Sequence, residues 1–458
     1  MNGCHISALR IATVASGILF SVPPPGIAQD AHYWTNQYGT RSELVGGLVV
    51  GSFLDLSATY YNPGAIAFVS DPSLVLTTDA WEYQSFDFDD IAPQGLDLRT
   101  GRLRPAPSIF AIQLPIKAGK HRFAVSAVTR HSFEADAQAT RIPTAEQFAD
   151  NAIPTGRSLE ANIRHRLGEA WAGLSWSHPV KQRLGVGVTT YFAARGQFGR
   201  RQVFGQEVDS AGGGLSTRFI QEFSYWNVRL LWKAGVALDL RPLTLGLTIT
   251  TPGITLFGSG RMLTNDGLIM IDLGDSATAN ELVADFQDGI ASTYRSPPSV
   301  ALGASYRFGS TTAYATAEWF DGVDEYTILD AGEFVGQTTG DTLSNDLIYR
   351  LKDVLNFGFG LEHKLSDRFQ AYGAFFSDRS ALPDGRDRDI PVALADWDIW
   401  HLSAGGVFVL GNIDITLGTS YGWGSDAIRK PVEVPGDSPF AELDYRSIKL
   451  IFGFGVAF

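Results

Sequence analysis

The feature that most limits how this 458-residue chain can fold is the alternation of residue types in its last fourteen positions, YRSIKLIFGFGVAF at 445–458. Every second residue is apolar: Ile448, Leu450, Phe452, Phe454 and Val456. Successive side chains of an extended strand point to opposite faces, so this segment has one continuous apolar face. Membrane β-barrels show this pattern because lipid replaces the core on the apolar side. A strand of a water-soluble sandwich could show it as well, so both folds remain open at this point.

The same alternation recurs along the chain, for example over 355–362 and 413–423. It predicts fourteen strands, at 73–88, 106–115, 121–133, 160–178, 183–204, 219–238, 241–258, 298–308, 312–323, 351–365, 368–378, 399–410, 412–424 and 444–458. The connections alternate between short turns and long loops such as 134–159 and 259–297. Short periplasmic turns and long outer loops are the layout of an outer-membrane barrel. The sequence therefore predicts an all-β fold, a transmembrane antiparallel β-barrel of about 14 strands.

The N-terminus has the features of a secretory signal peptide over residues 1–28. Arg10 precedes a largely apolar stretch at 11–20, and Gly26-Ile27-Ala28 offers a cleavage site of small residues. The only cysteine, Cys4, lies in this segment, so we expect no disulfide in the mature chain. A formal net charge of −13 argues against nucleic acid as a partner. We therefore expect an exported protein of the cell outer membrane, with an uncleaved anchor as the alternative.

Residues 29–72 precede the first predicted strand and are too long and too apolar for a free tail. They include Leu44, Val45, Leu48 and Val49. The lumen-facing positions of the predicted strands are often Gly, Ser, Thr or Ala, which leaves space inside the barrel. We expect 29–72 to fold into the lumen as a plug, and 73–458 to form the barrel with its long extracellular loops. A periplasmic tail or an additional strand is the alternative.

Residues 39–67, GTRSELVGGLVVGSFLDLSATYYNPGAIA, resemble the N-terminal plug of the FadL-type outer-membrane transporters for long-chain fatty acids and aromatic hydrocarbons. The matching positions are Arg41, Gly46, Gly47, Asp55, Ser57, Ala58, Tyr60, Tyr61, Asn62 and Pro63. Gly64-Ala65 reverses the usual Ala-Gly order of the family. Asn62-Pro63-Gly64 predicts a sharp turn, because Pro fixes φ and Gly tolerates positive φ. A Pro-led segment at 296–303 resembles the strand that follows a helical loop in the same family.

The resemblance implies passive uptake of a small hydrophobic molecule, a fatty acid or a hydrocarbon, by a barrel surrounded by outer-membrane lipid. In the family, the ligand is caught between outer loops, enters the barrel and leaves sideways through a kink in the third strand. The third predicted strand, 121–133, contains neither Gly nor Pro, so this kink is not carried over. Loops 205–218 and 259–297 occupy the family's groove positions. The groove candidates are Leu215, Phe219, Leu282, Val283 and Phe286.

Two long loops carry helix signals. Thr278-Ala279-Asn280-Glu281 fits a capping box, and Leu282, Val283, Phe286 and Ile290 follow at helical spacing. A second capping box lies at 144–147. The sequence therefore predicts an amphipathic helix after residue 278 whose apolar face covers the barrel mouth, another loop or a ligand.

No catalytic motif stands out in the sequence. The histidines have no metal-ligand spacing, and neither a Gly-x-Ser-x-Gly elbow nor a P-loop is present. We therefore expect no enzyme activity, no metal and no cofactor. Tryptophans including Trp171 and Trp226 are expected in the aromatic girdles at the membrane interfaces. The alternative to transport is a structural or secretion-associated barrel that binds another envelope protein.

Overall fold

The computed structural model describes residues 31–69, 74–92, 96–141, 156–208, 214–271, 280–383, 397–429 and 440–457. The signal peptide predicted over 1–28 lies outside these residues. A short helix, α1 (Ala58–Tyr61), and a 3-10 turn (Pro63–Ala67) precede the strands. No helix in the described part of the chain is long and apolar enough to cross a membrane.

The described part of the chain continues with twenty strands: β1 (Leu74–Ala92), β2 (Leu96–Ala118), β3 (His121–Arg141), β4 (Gly156–Lys181), β5 (Leu184–Val208), β6 (Gly214–Leu240), β7 (Leu243–Thr250), β8 (Ile254–Ile271), β9 (Glu281–Ala291), β10 (Ser299–Phe308), β11 (Thr311–Phe320), β12 (Val323–Leu329), β13 (Phe334–Val335), β14 (Thr342–Leu343), β15 (Leu347–Leu351), β16 (Val354–Lys364), β17 (Phe369–Asp378), β18 (Ile399–Leu410), β19 (Ile413–Arg429) and β20 (Phe440–Val456).

Fourteen of these strands form a closed antiparallel barrel. β1 pairs with β2 on one side and with β20 on the other, so the first and last strands close the cylinder. The order around the wall is β1-β2-β3-β4-β5-β6-β7-β10-β11-β16-β17-β18-β19-β20. Each predicted strand has a counterpart in this order. The predicted 14-stranded barrel is therefore confirmed.

The alternation in the sequence defines the two faces of the barrel wall. In β20, the side chains of Ile448, Leu450 and Phe452 are 48%, 49% and 44% exposed, whereas those of Lys449 and Ile451 are buried. Other strands carry outward apolar side chains in the same way: Leu174, Phe192, Trp226, Leu247, Ile249, Leu302, Phe359, Leu402 and Leu417. A closed barrel leaves no unpaired sheet edge in lipid, and this apolar exterior is the architecture of outer-membrane proteins.

The strands extend beyond their predicted ends at the rim with the long connections, which is the extracellular rim in this class of barrel. β4 and β5 are 26 and 25 residues long. The strand predicted over 241–258 is interrupted at 251–253, where β7 ends and β8 begins. β8 pairs with β6 and with β9, so a β8–β9 hairpin extends the wall above the membrane-spanning part.

The helix predicted after residue 278 is wrong, because β9 occupies this segment as a strand. Leu282, Phe286 and Ile290 are four residues apart, and such positions share one face in a strand as well as in a helix. Pairing of β9 with β8 then decides between the two structures. The capping box at 144–147 lies outside the described residues.

Candidate functional site

Residues 31–69, here called the N-terminal segment, lie in the lumen of the barrel. Side-chain hydroxyls on four strands donate hydrogen bonds to its carbonyls: Thr189 on β5 to Thr59 O (2.8 Å), Thr248 on β7 to Tyr61 O (2.8 Å), Ser403 on β18 to Leu44 O (3.0 Å) and Thr416 on β19 to Thr40 O (2.9 Å). β5 and β7 lie on the opposite side of the barrel from β18 and β19. The N-terminal segment therefore occupies the space between them.

Asp55 organises the N-terminal segment from within. Its buried carboxylate accepts hydrogen bonds from the backbone N–H groups of Arg41 (3.0 Å), Ser42 (3.2 Å) and Ser57 (2.9 Å). Charge-assisted bonds of this kind are stronger than bonds between neutral groups. Asp55 thus holds two distant parts of the segment together.

Gly46 and Gly47 adopt φ angles of 65° and 71°, the left-handed region that favours glycine. They form a tight reversal between the two parts of the segment that Asp55 joins. Gly47 N–H donates to the Ser42 carbonyl at 2.8 Å. The backbone conformation at both positions therefore favours glycine over any residue with a side chain.

Two carboxylates of the wall bind the N-terminal segment. Asp378, at the end of β17, accepts hydrogen bonds from the backbone N–H groups of Tyr33 (2.9 Å) and Trp34 (2.8 Å) and from the hydroxyl of Thr35 (2.6 Å). Asp414 on β19 forms an ion pair of 2.6 Å with Arg41. Asp378 is fully buried, whereas the Arg41–Asp414 pair is partly exposed. Asp378 is therefore the stronger anchor.

The turn predicted at Asn62-Pro63-Gly64 exists as the start of the 3-10 turn. The Asn62 side chain accepts a hydrogen bond from Gly64 N–H (3.0 Å) and donates to the carbonyls of Val50 (2.7 Å) and Val236 (2.9 Å). Gly64 is not in the left-handed conformation. It is needed for close packing instead, because a Cβ there would lie 2.6 Å from the carbonyl oxygen of Gly235 on β6.

Glycines of the wall allow the backbone of the segment to approach at further positions. A Cβ on Gly303 of β10 would lie 2.5 Å from the backbone nitrogen of Gly51, and a Cβ on Gly246 of β7 would overlap the carbonyl oxygen of Val50. At these positions the backbone of the segment therefore packs directly against the backbone of the wall.

The wall is interrupted between β2 and β3. These strands pair from Ala118 and His121 up to Ile109 and Val128; beyond this point, within the described residues, β2 pairs only with β1 and β3 only with β4. We call this opening the β2–β3 seam. A register shift between Thr129 and His131 produces a bulge in β3 at the base of the seam.

The N-terminal segment covers the base of the β2–β3 seam. The Asn36 side chain donates to the carbonyls of Thr129 (3.4 Å) and Arg130 (3.3 Å), and the Tyr38 hydroxyl donates to Thr129 O at 3.1 Å. These carbonyls belong to the part of β3 that β2 no longer pairs. The segment therefore supplies hydrogen bonds that an unbroken sheet would supply.

A cavity of about 440 Å³, including space open to solvent, lies between the N-terminal segment and the wall. Five aromatic residues line it: Tyr33, Tyr60, Trp171, Tyr294 and Phe320. Arg130 also lines it, so the cavity adjoins the β2–β3 seam. The prediction that Trp171 belongs to an interface girdle is wrong, because its side chain is buried in the lumen.

Charged side chains meet at this cavity. Glu169 on β4 accepts from Arg195 (2.9 Å) and Arg229 (2.7 Å), and both guanidinium groups lie over the ring of Tyr294 at 4.0 and 4.5 Å. On β11, Glu318 accepts from Trp34 Nε1 at 2.9 Å. Sequence reasoning missed all of these residues. Within the described residues, no group of three or more His, Cys, Asp or Glu could hold a metal ion.

The structure splits the five predicted groove residues between two faces of the β6–β8–β9 sheet. Leu215 and Phe219 have the lumen-facing parity of β6. Val283 lies opposite Asp266, which lies opposite Phe219, so Val283 shares the face of Phe219. Leu282 and Phe286 point to the opposite face and are 42% and 59% exposed. The five residues therefore do not line one groove, and ligand binding by the lumen-facing three stays a prediction.

Asp266, between Phe219 and Val283 in the extracellular hairpin, is expected to make this hairpin sensitive to pH. Burial raises its pKa to about 7, and a backbone hydrogen bond at Ile220 opposes the shift. An unfolded aspartate titrates near pH 4, so the folded form binds more protons between about pH 4 and 7 and loses stability as the pH rises through that window. Limited proteolysis should therefore cut the wild-type hairpin faster at pH 8 than at pH 5.

Asp266→Asn is the matched variant for this pH effect, because it removes the charge and keeps the shape. We expect its hairpin to be cut at similar rates at both pH values. Equal cleavage of the wild-type hairpin at pH 5 and pH 8 would contradict the prediction.

Comparison with solved structures finds barrels of similar architecture. The toluene transporter TodX of Pseudomonas putida superposes with a TM-score of 0.55 at 14% identity, over 93% of this chain and 99% of its own. A Pseudomonas aeruginosa FadL homologue gives 0.55 at 15% identity, over 93% and 98%. The Ralstonia pickettii toluene transporter TbuX gives 0.54 at 12% identity, over 92% and 99%.

Identities this low establish a shared fold. No family model matches the sequence, and no curated protein matches it. The chain has the fold of the FadL- and TodX-type barrels, as the resemblance of residues 39–67 predicts.

Proposed function

We propose that this protein is an outer-membrane passive transporter of small hydrophobic molecules, fatty acids or hydrocarbons, and that its N-terminal segment acts as the plug. The observation that carries this proposal is the position of that segment, which is bonded to several strands inside the lumen and covers the base of the β2–β3 seam. A segment in this position does not suit a porin that conducts ions freely. A plug bonded to an interruption of the wall suits gated passage of a molecule that can enter lipid.

The position of the cavity favours release through the β2–β3 seam. Arg130 stands at the bulge of β3 and lines the cavity, and its guanidinium donates to Tyr33 O of the segment at 2.6 Å. A displacement of residues 33–38 would break this bond together with those from Asn36 and Tyr38. One movement would then open the path from the cavity to the gap between β2 and β3.

The fold neighbours support a hydrophobic cargo. TodX and TbuX are toluene transporters, and both superpose on nearly the whole of this chain. We extend this cargo class to the present protein as part of the proposal. Residues 1–28 would direct export, 29–72 would form the plug and 73–458 the barrel.

A disulfide between the segment and β3 tests the proposal. Asn36→Cys with Arg130→Cys would tie the segment to the base of the seam, because the Asn36 amide lies 3.3 Å from the Arg130 carbonyl and the Arg130 side chain faces the lumen. The chain has no cysteine besides Cys4. We expect cells with the oxidised variant to take up labelled toluene no faster than cells without the protein. Reduction of the disulfide should restore the wild-type rate, because the segment can move again.

Ala304→Cys with Ala315→Cys is the matched control, since these residues pair across β10 and β11 in an intact part of the wall and share the outward parity of Leu302. Its oxidised form should transport at the wild-type rate. The transport proposal fails if the wild-type protein does not raise the rate at which cells take up labelled toluene or labelled oleate, compared with cells without the protein.

A further inference from the structure

We infer that the lumenal cavity binds a small aromatic carboxylate, held by Arg130, Arg229 and Lys233. The inference rests on the proposed function for how the ligand arrives, and it specifies the class of ligand at that site. It concerns a charged aromatic molecule rather than an uncharged hydrocarbon.

The first argument is the charge balance of the cavity. Three cations, Arg130, Arg229 and Lys233, line it together with two carboxylates, Glu169 and Glu318. All three cations are buried. Burial of a charge is unfavourable unless a partner compensates it. Arg195 shares Glu169 with Arg229, so the cluster has an excess of positive charge that an anionic ligand would reduce.

The two carboxylates are already engaged. Glu169 is shared by Arg195 and Arg229, and Glu318 accepts from Trp34 and from the Ser299 hydroxyl (2.7 Å). Within the described residues, neither Arg130 nor Lys233 has a carboxylate at ion-pair distance. The Lys233 ammonium lies 4.1 Å above the centre of the Tyr60 ring instead. Lys233 is therefore free to pair with an anion.

The second argument is an unsatisfied donor. The Nε–H of Arg229 is buried and has no hydrogen-bond partner within the described residues, although the other two nitrogens bond to Ser296 and Glu169. Buried donors without a partner are rare and destabilising. Arg229 and Lys233 lie on the lumen face of β6 and line the same cavity, so a carboxylate bound there has a cationic donor on either side of it.

The third argument is the nature of the other lining groups. Tyr60, Trp171, Tyr294 and Phe320 present rings to the cavity. Aromatic rings favour an aromatic ligand through offset and edge-to-face packing. A ring joined to a carboxylate would therefore satisfy the apolar and the charged parts of the cavity together.

Binding of labelled benzoate to the full-length protein in detergent, by equilibrium dialysis at neutral pH, tests the inference. We expect saturable binding that is about tenfold tighter than that of benzyl alcohol, since a bond to a charged group is lost in the neutral analogue. Hexanoate separates ring recognition from charge recognition and should bind more weakly than benzoate.

Lys233→Met should weaken benzoate binding about tenfold and leave benzyl alcohol binding unchanged, because only the charge partner is lost. Lys449→Met is the matched control. Lys449 is also a buried lumenal lysine, but its ammonium donates to Thr35 O at 2.8 Å and lies 3.5 Å from Glu82. Arg130→Gln provides a second variant at the site, and heat-modifiable migration in SDS gels checks that each variant folds.

Equal affinity for benzoate and benzyl alcohol overturns the inference, as does an equal loss of benzoate binding in the Lys233 and Lys449 variants. Toluene uptake with no benzoate binding overturns this inference and leaves the transport proposal standing. Benzoate binding without uptake of any tracer supports the site and overturns the transport proposal.

Discussion

Asp378→Ala is expected to let the barrel conduct ions, seen in planar bilayers as a single-channel conductance that rises from background to that of an open channel. The fully buried carboxylate of Asp378 accepts from Tyr33 N, Trp34 N and the Thr35 hydroxyl. Its loss leaves three donors unsatisfied, at about 1–3 kcal/mol each. These donors can regain hydrogen bonds with water if residues 33–35 detach from the wall, and this movement would open the lumen.

Asp414→Ala is the matched control for the conductance measurement. Asp414 also binds the segment, but within the described residues its carboxylate forms an ion pair with Arg41 alone, and the two side chains are 23% and 11% exposed. Arg41 keeps part of its surface in water and stays near the charge of Asp55, so the loss should be smaller than for Asp378. We expect this variant to remain closed. A folded Asp378→Ala barrel with background conductance would contradict the anchoring role of Asp378.

Gly246→Val is expected to expel the middle of the N-terminal segment while the barrel still forms. Its Cβ would overlap the carbonyl oxygen of Val50 and lie 2.7 Å from the Asn62 amide nitrogen. Overpacking of a core costs about 1–3 kcal/mol, and rotation of a side chain cannot relieve a clash with backbone. Proteinase K should cut the segment of the folded variant and spare it in the wild type, as mass spectrometry of the fragments would show.

Gly196→Val is the comparison for this steric argument. Gly196 lies on β5, two strands away around the wall, and no heavy atom lies within 4 Å of a Cβ placed there. Its segment should therefore resist protease as in the wild type. If both valine variants resist the protease equally, the wall does not require glycine for the segment to pack.

The barrel could be predicted from the sequence because a membrane strand repeats one rule at every second residue. In β20, that rule assigns Lys449 to the lumen and Leu450 to lipid, and the structure agrees. The same rule could have placed Trp171 inside. It shares the parity of Ser175 and Ser177, whose side chains face the lumen, and not that of Leu174.

The β2–β3 seam could not be predicted, because its cause lies in another part of the chain. Glycine or proline is the local signal for a bend, and 121–133 contains neither. The bulge at Arg130 instead accompanies the end of pairing with β2 and the hydrogen bonds from Asn36 and Tyr38. Contacts across some 90 positions leave no periodic trace in the sequence.

The charged cavity escaped prediction for a related reason. Glu169 and Arg229 are 60 positions apart and meet only because β4, β5 and β6 pair in one particular register. The groove candidates on β9 follow from helical spacing, which places Leu282, Val283 and Phe286 on one face of a helix. In the strand that forms instead, Val283 lies on the opposite face from Leu282 and Phe286.

The N-terminal segment and the barrel wall pack against each other as closely as two halves of the core of a water-soluble protein. Gly246 and Gly303 match the backbone at Val50 and Gly51, so a larger residue on one partner requires a displaced backbone on the other. Changes that accumulate in either partner must therefore be compensated in pairs. An N-terminal segment exchanged between two such barrels should pack in the lumen only when the matching glycines of the wall are exchanged with it.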